Sequence, residues 1–230
     1  MSARLALLVA AVAACGCSLG QGEGQVISEA FYAPGCWGTA SKKQPYNLRP
    51  DFFAANPDYS GTDPNSKPTM FITVQRGNDQ EEYSDGLSIL LDDVPTLRSP
   101  AHKGRAEPVG LQSGIGAQAG RPPEPATSPL LNEPPLVHMS LYLQQSCHNQ
   151  GTILNAVSGT ITFHSLFSGD PNEQVGSEKY TDATFDVQVG DLQEVPEGQP
   201  ADAVPANLQS HMTGFFRFYF ERGQPAQPFP

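Results

Sequence analysis

Side chains able to do chemistry are few in this chain and scattered along it. The five His stand at 102, 138, 148, 164 and 211, and no H-E-x-x-H run sets two of them on one helix face. His138 and His164 fall on the polar phases of two alternating segments. A strand pair could aim both imidazoles at one metal, but the same positions suit solvated surface His. Gly110-Leu111-Gln112-Ser113-Gly114 sets its Ser one place off the nucleophile elbow, and no helical pattern follows. Asp79, Glu81, Glu82 and Asp85 crowd one turn, and Asp58, Asp63 and Asn65 another, beside Gly61. Such oxygens can hold calcium, yet neither run has the EF-hand spacing, and acidic turns are also simply solvated. No Gly-rich turn joins a strand to a helix as a phosphate loop requires. No residue is nominated as catalytic, and no metal or cofactor is implied. A pair of carboxylates drawn from distant positions, about 5 to 10 Å apart, stays open as a hydrolase site.

Aromatic side chains out of phase with the apolar positions of their own segments form a second candidate set. These are Phe71, Tyr142, Phe215 and Tyr219. Exposed aromatics on a sheet bind sugars, peptides or a partner protein. The competing reading is that a loop or neighbouring sheet covers them. Asp186 and Arg217 are candidates for a cross-strand pair.

The cysteines say where the chain works. One early positive charge, Arg4, precedes an unbroken apolar run over residues 5–14, then Cys15-Gly16-Cys17. This is the charged start and short apolar core of a secretory leader, and it is shorter than the roughly 20 residues that cross a bilayer. Val12-Ala13-Ala14-Cys15 resembles the lipobox of bacterial lipoproteins. That resemblance covers the leader alone, and it implies a diacylglycerol thioether on Cys15. Cys17 is the alternative, because lipidation there removes Cys15 with the leader and leaves an even pair of thiols. Ala11-Val12-Ala13 also fits an ordinary A-x-A cut that releases a soluble protein. The absence of Asp at the second place after either Cys favours, on the same resemblance, the outer membrane over inner-membrane retention. Cys36 and Cys147 then sit in an oxidising compartment, where a disulfide is expected. It closes a loop of about 110 residues, for which chain entropy gives about 4.7 kcal/mol.

The formal net charge is −11, from 13 basic against 24 acidic side chains. Such a surface repels nucleic acid and anionic headgroups, so nucleic acid is excluded as a partner and the lipid must do the membrane work. Charged residues make up 16% of the chain, against about 25% in an average soluble domain. With 22 Gly and 22 Pro, that composition suits turns and strands better than helices.

Period-two alternation supports this. Val137, Met139, Leu141 and Leu143 share one face of segment 136–145. Val157, Gly159, Ile161 and Phe163 share another. The same holds for Ala183, Phe185, Val187 and Val189, and for Met212, Gly214, Phe216, Phe218 and Phe220. Weaker strands are expected at 26–33, 70–76 and 86–92. Segment 50–59 is expected to hold at most a short helical turn, ended by Pro57. About seven one-faced strands call for an all-β, antiparallel two-sheet β-sandwich, with a β-barrel as the alternative. Residues 94–135, rich in Pro and Gly, cannot form a central strand. They read as a long flexible loop, either a binding lid or a tolerated insertion, with a possible edge strand at 107–111. Residues 194–206 read as a smaller loop.

The expected organisation is a leader over 1–14, a lipidated tether over 15–24, one β domain over 25–223 carrying the 94–135 insertion, and a Pro-rich tail over 224–230. The expected function is a lipid-anchored envelope protein that binds or scaffolds. The alternatives are a module for carbohydrate or another envelope polymer, and an envelope hydrolase with a carboxylate site. The expected partners are the membrane through the lipid and an envelope protein or polysaccharide.

Overall fold

The computed structural model describes residues 21–33, 36, 43–58, 67–77, 84–112, 134–147, 152–221 and 227–228. Cys15, Cys17, Trp37, residues 113–133 and most of both acidic turns lie outside the described residues.

The strands are β1 (Gln21–Phe31), β2 (Gln44–Leu48), β3 (Phe52–Asp58), β4 (Thr69–Gln75) and β5 (Asp85–Leu91). After a five-residue helix, α1 (Val94–Arg98), come β6 (Ala106–Pro108), β7 (Val137–Leu143), β8 (Thr152–Ser165), β9 (Tyr180–Gly190), β10 (Ser210–Tyr219) and β11 (Gln227–Pro228). All-β architecture with antiparallel pairing is therefore the fold class; β11 alone among the strands runs parallel to its neighbour. The hydrogen bonds trace one sheet in the order β11-β1-β10-β9-β8-β7-β5-β4-β3, with β2 also on β1 and β6 also on β8. The expected division into two stacked sheets is not what these bonds follow: the sheet curls into a half-barrel.

Curling is the way a single sheet with one apolar face can bury it. Alternation sends Val137, Met139, Leu141 and Leu143 from β7, Ala183 to Val189 at every second place from β9, and Phe216 and Phe218 from β10 into the interior. Met70, Ile72 and Val74 join them from β4, and Leu87, Ile89 and Leu91 from β5. Phe53 on β3 and Phe218 on β10 stack with centroids 5.8 Å apart, although their strands belong to opposite ends of the sheet. Gly22 makes room for this: a Cβ there would stand 2.5 Å from the Phe53 ring.

Three sequence expectations change. Segment 50–59 holds β3 and not a helical turn, because Phe53 and Ala55 are buried at period two and Pro57 sits near the end of an outermost strand. In β8 the phase slips. A register shift between Ala156 and Ser158, with Gly159 at φ +119°, leaves Val157 half-buried on the outer face, while Ala156 and Ile161 point in. The start of the Pro-rich insertion is ordered: Asp93 caps α1 by accepting from Thr96 N at 3.0 Å, and β6 follows. The possible edge strand at 107–111 is thus β6, which starts one residue earlier and ends three residues sooner.

Outside the barrel, Leu111, Leu192, Val195, Ala201 and Val204 form a second apolar cluster with Val157 packed against it. Residues 192–208 therefore fold back over the outer face of β8 and β9, and Val204 lies against Gly190.

At one end of the barrel, Cys36 and Cys147 form the expected disulfide, 111 residues apart in sequence. Beside it lies the buried carboxylate of Asp85. One oxygen accepts from Gln145 N and Ser146 N, both at 3.0 Å, and the other from the Ser146 hydroxyl and from the Tyr46 hydroxyl at 3.4 Å. Tyr46 in turn stacks on Phe31 at 4.8 Å. Asp85 thus fixes the chain after β7 to the start of β5. Replacing it strands two main-chain donors and two hydroxyls, and each unmet buried group costs about 1 to 3 kcal/mol. Asp85→Ala should lose about 2 to 4 kcal/mol in urea unfolding of the oxidised protein, and Asp85→Asn less, since one oxygen remains. A loss under about 0.5 kcal/mol for Asp85→Ala would show that this end is held by other contacts.

Candidate functional site

The outer face of β3, β4, β5, β7 and β8 carries the most organised set of exposed side chains. Register places these residues in three rows that cross the strands. The middle row is Ala54, Thr73, Ser88, Ser140 and Asn155. All five are half-buried, and four carry a hydroxyl or an amide. On one side lie Asn56, Phe71, Leu90 and His138. On the other lie Phe52, Gln75, Gly86, Tyr142 and Ile153. Small polar side chains thus form a floor between two bulkier rows. Among the described residues, Thr73, Ser88, Ser140 and Asn155 make no side-chain hydrogen bond with the protein.

The rims are fixed by neighbours. Tyr142 crosses over Gly86 and donates its hydroxyl to Gln75 Oε1 at 2.6 Å. A Cβ on Gly86 would collide with that phenol, so glycine is required there. Gln75 also donates Nε2–H to the Gly77 carbonyl at 2.9 Å, which locks the amide. Phe71 is 41% exposed and Ile153 57% exposed, so the rims present apolar surface to solvent.

At the β7 end the floor meets a strap over residues 109–112. Val109 N donates to Gly159 O at 3.0 Å, and Gly110 N to Val137 O at 3.2 Å. Buried His138 stands beneath the strap, with Nδ1 3.0 Å from Gly110 O and Nε2 2.9 Å from Asp92 Oδ2. Strap and floor together enclose a shallow cavity of about 100 Å³ bordered by Phe71, Ser88, Gln112, Ser140 and Asn155. Among the described residues, no carboxylate lines it.

The four aromatics singled out by sequence do not form one row. Phe71 and Tyr142 share this face, on β4 and β7. Phe215 and Tyr219 lie on β10, separated from β7 by β8 and β9. Tyr219 is spent on Tyr180, with centroids 4.8 Å apart, and Phe215 is half-buried between Gln25 and Thr184. His138 and His164 do not meet either: His164 is near Thr184 Oγ1 at 3.3 Å, while His138 holds the strap. Among the described residues, no three His, Cys, Asp or Glu gather as metal ligands. Asp186 contacts His211 at 2.8 Å, and Arg217 pairs with Glu23, so the expected Asp186–Arg217 pair is not formed. Ser88, Asn155 and Gln112 were not nominated from sequence. Their only signal was a polar place in an alternating or loop segment, which many residues share.

Burial, with the Asp85 carboxylate second, pushes the Tyr142 phenol up to about 12. The same two causes hold the Tyr46 phenol above its ordinary range. An unfolded Tyr ionises near pH 10, so the folded state holds these protons more tightly. The stability this contributes is complete below pH about 10 and is lost as pH rises from there towards 12 and beyond. Urea midpoints between pH 9 and 12 should fall in the wild type and fall less in a Tyr46→Phe, Tyr142→Phe double variant; parallel curves would remove the two phenols from the alkaline transition.

Compared with family models, with curated proteins and with solved structures, the chain shows no match.

Proposed function

We propose that this is an envelope protein tethered by lipid on Cys15, whose half-barrel is a non-catalytic binding module with its ligand on the outer face of β3 to β8. The observation that carries the reading is the polar floor between two rims with exposed apolar surface. Polar side chains left without partners on a fixed sheet, next to an exposed ring, are suited to recognition. The leader supports the tether, and the Cys36–Cys147 bond agrees with an oxidising compartment. The described residues include no helix long and apolar enough to cross a membrane. An outer-membrane position follows from the leader resemblance alone.

Two measurements test the reading. Cells fed labelled palmitate should label the wild type and not Cys15→Ala; undiminished label on that variant moves the lipid to Cys17 or elsewhere. For the binding face, p-benzoylphenylalanine replaces Phe71 in the full chain in its own cells. Irradiation should give a discrete adduct, while the same probe at Tyr219 gives none. No adduct at 71, or equal adducts at both, would rule out a binding face at Phe71.

A further inference from the structure

We infer that the ligand on this face is an uncharged glycan lying across the strands, with one sugar ring stacked on Phe71 and a substituent in the cavity beneath the strap. This rests on the binding-face reading and names the ligand class.

The dimensions come first. The middle row crosses five strands, four gaps of about 4.8 Å, or roughly 19 Å. The rims are four residues apart along each strand, about 13 Å between backbones, and their side chains narrow that further. An α-helix with side chains is about 10 to 12 Å across and does not fit between them. The cavity, at about 100 Å³, falls well below the 300 to 1,000 Å³ of a site that encloses a small ligand. It takes a substituent while the rest of the ligand lies open along the floor. These dimensions select a narrow, extended chain.

Chemistry then separates the extended polymers. A peptide strand gains affinity by adding to a sheet edge, where main-chain groups are unpaired. This trench runs over the face, and the N–H and C=O groups between its strands are committed to the ladders β3-β4-β5-β7-β8, leaving only the outer edge of β3, away from the trench, for strand addition. A peptide laid across it would leave its own backbone without main-chain partners. A glycan does not need them. Its hydroxyls match Thr73, Ser88 and Ser140, each able to donate and to accept, and the Asn155 amide. The apolar face of a sugar ring matches Phe71. Charge excludes the acidic polymers: no Lys or Arg stands in any of the three rows, the carboxylates of Asp92 and Asp85 stand against His138 and Tyr142 of the rims, and the chain carries −11 overall. Strongly apolar chains are disfavoured by the floor, whose hydroxyls and amide would lose water without replacement.

The test is affinity electrophoresis of the full chain in detergent, through native gels containing dextran, yeast mannan or a soluble mixed-linkage β-glucan, with alginate as the acidic polymer. At least one neutral polymer should retard the wild type, and alginate should not. Phe71→Ala should weaken that retardation at least fivefold, as should Ser88→Trp, which fills the floor; Tyr219→Ala should leave it unchanged. Unfolding midpoints of the variants confirm that each is folded. Retardation by none of the neutral polymers, by alginate as strongly, or by Phe71→Ala as well as by wild type would each overturn the inference. The adduct at residue 71 separates the two failures. An adduct with a polypeptide, without retardation, sinks the glycan and keeps the binding face. The absence of both sinks the binding face itself.

Discussion

The stacking of Phe53 on Phe218 ties together two strands from opposite ends of one curled sheet. Strands with one apolar face need a cover, and in this chain the cover is the far part of the same sheet. Each large aromatic removes about 150 to 250 Å² from water, so a few phenylalanines decide whether curling outweighs the cost of bending. Phe53, Phe216 and Phe218 are fully buried in that interior. Gly22 permits it by giving the Phe53 ring the space a side chain would occupy. Once the inner face is committed in this way, the opposite phase of every strand is forced outward, and the outer face is the complement of the core.

Alternation was strong enough in the C-terminal half to give β7, β9 and β10 their inward residues by name. It failed where local composition opposed the tertiary outcome. In β3 the run Phe52-Phe53-Ala54-Ala55-Asn56-Pro57 contains helix-tolerant alanines and a proline, and only its place as an outermost strand makes that proline acceptable. In β8 the alternation was real on both sides of Gly159, but the bulge between them exchanged faces, which a strict period of two cannot express. The Pro-rich insertion was read as uniformly loose because prolines dominate its composition. Its first residues are pinned by an Asp93 cap and a three-residue edge strand, and these depend on hydrogen bonds and not on composition.

The candidate site was half legible for a related reason. Phase tells which side of a sheet a residue takes, and on that basis Phe71 and Tyr142 were correctly separated from the core of their strands. Phase does not tell which residues share a row, since that requires register between strands far apart in sequence. Ser88 and Ser140 stand opposite one another across 52 positions of sequence. The same blindness grouped Phe215 and Tyr219 with the other two aromatics, although two strands intervene.

The outer face divides into two halves with different fates, and the strap over residues 109–112 is where they meet. Over β8 and β9 the outward positions include Val157 and Gly190, and residues 192–208 cover them with Val195, Ala201 and Val204. Over β4, β5 and β7 the outward positions are Thr, Ser, Gln, His and aromatics, with Gly86 and Leu90 among them, and no described segment covers the row of Thr73, Ser88 and Ser140. Leu111 of the strap belongs to the covered half, while Gln112, its neighbour, borders the cavity of the open half. Two main-chain bonds and His138 hold the strap between them. The cavity wall is therefore set before any ligand arrives, by packing on one side and hydrogen bonds on the other. A ligand that meets a wall already in place does not spend its interaction energy ordering one. On the proposed reading, that is how a shallow polar row with one exposed ring would suffice for a specific site on an otherwise ordinary sheet face.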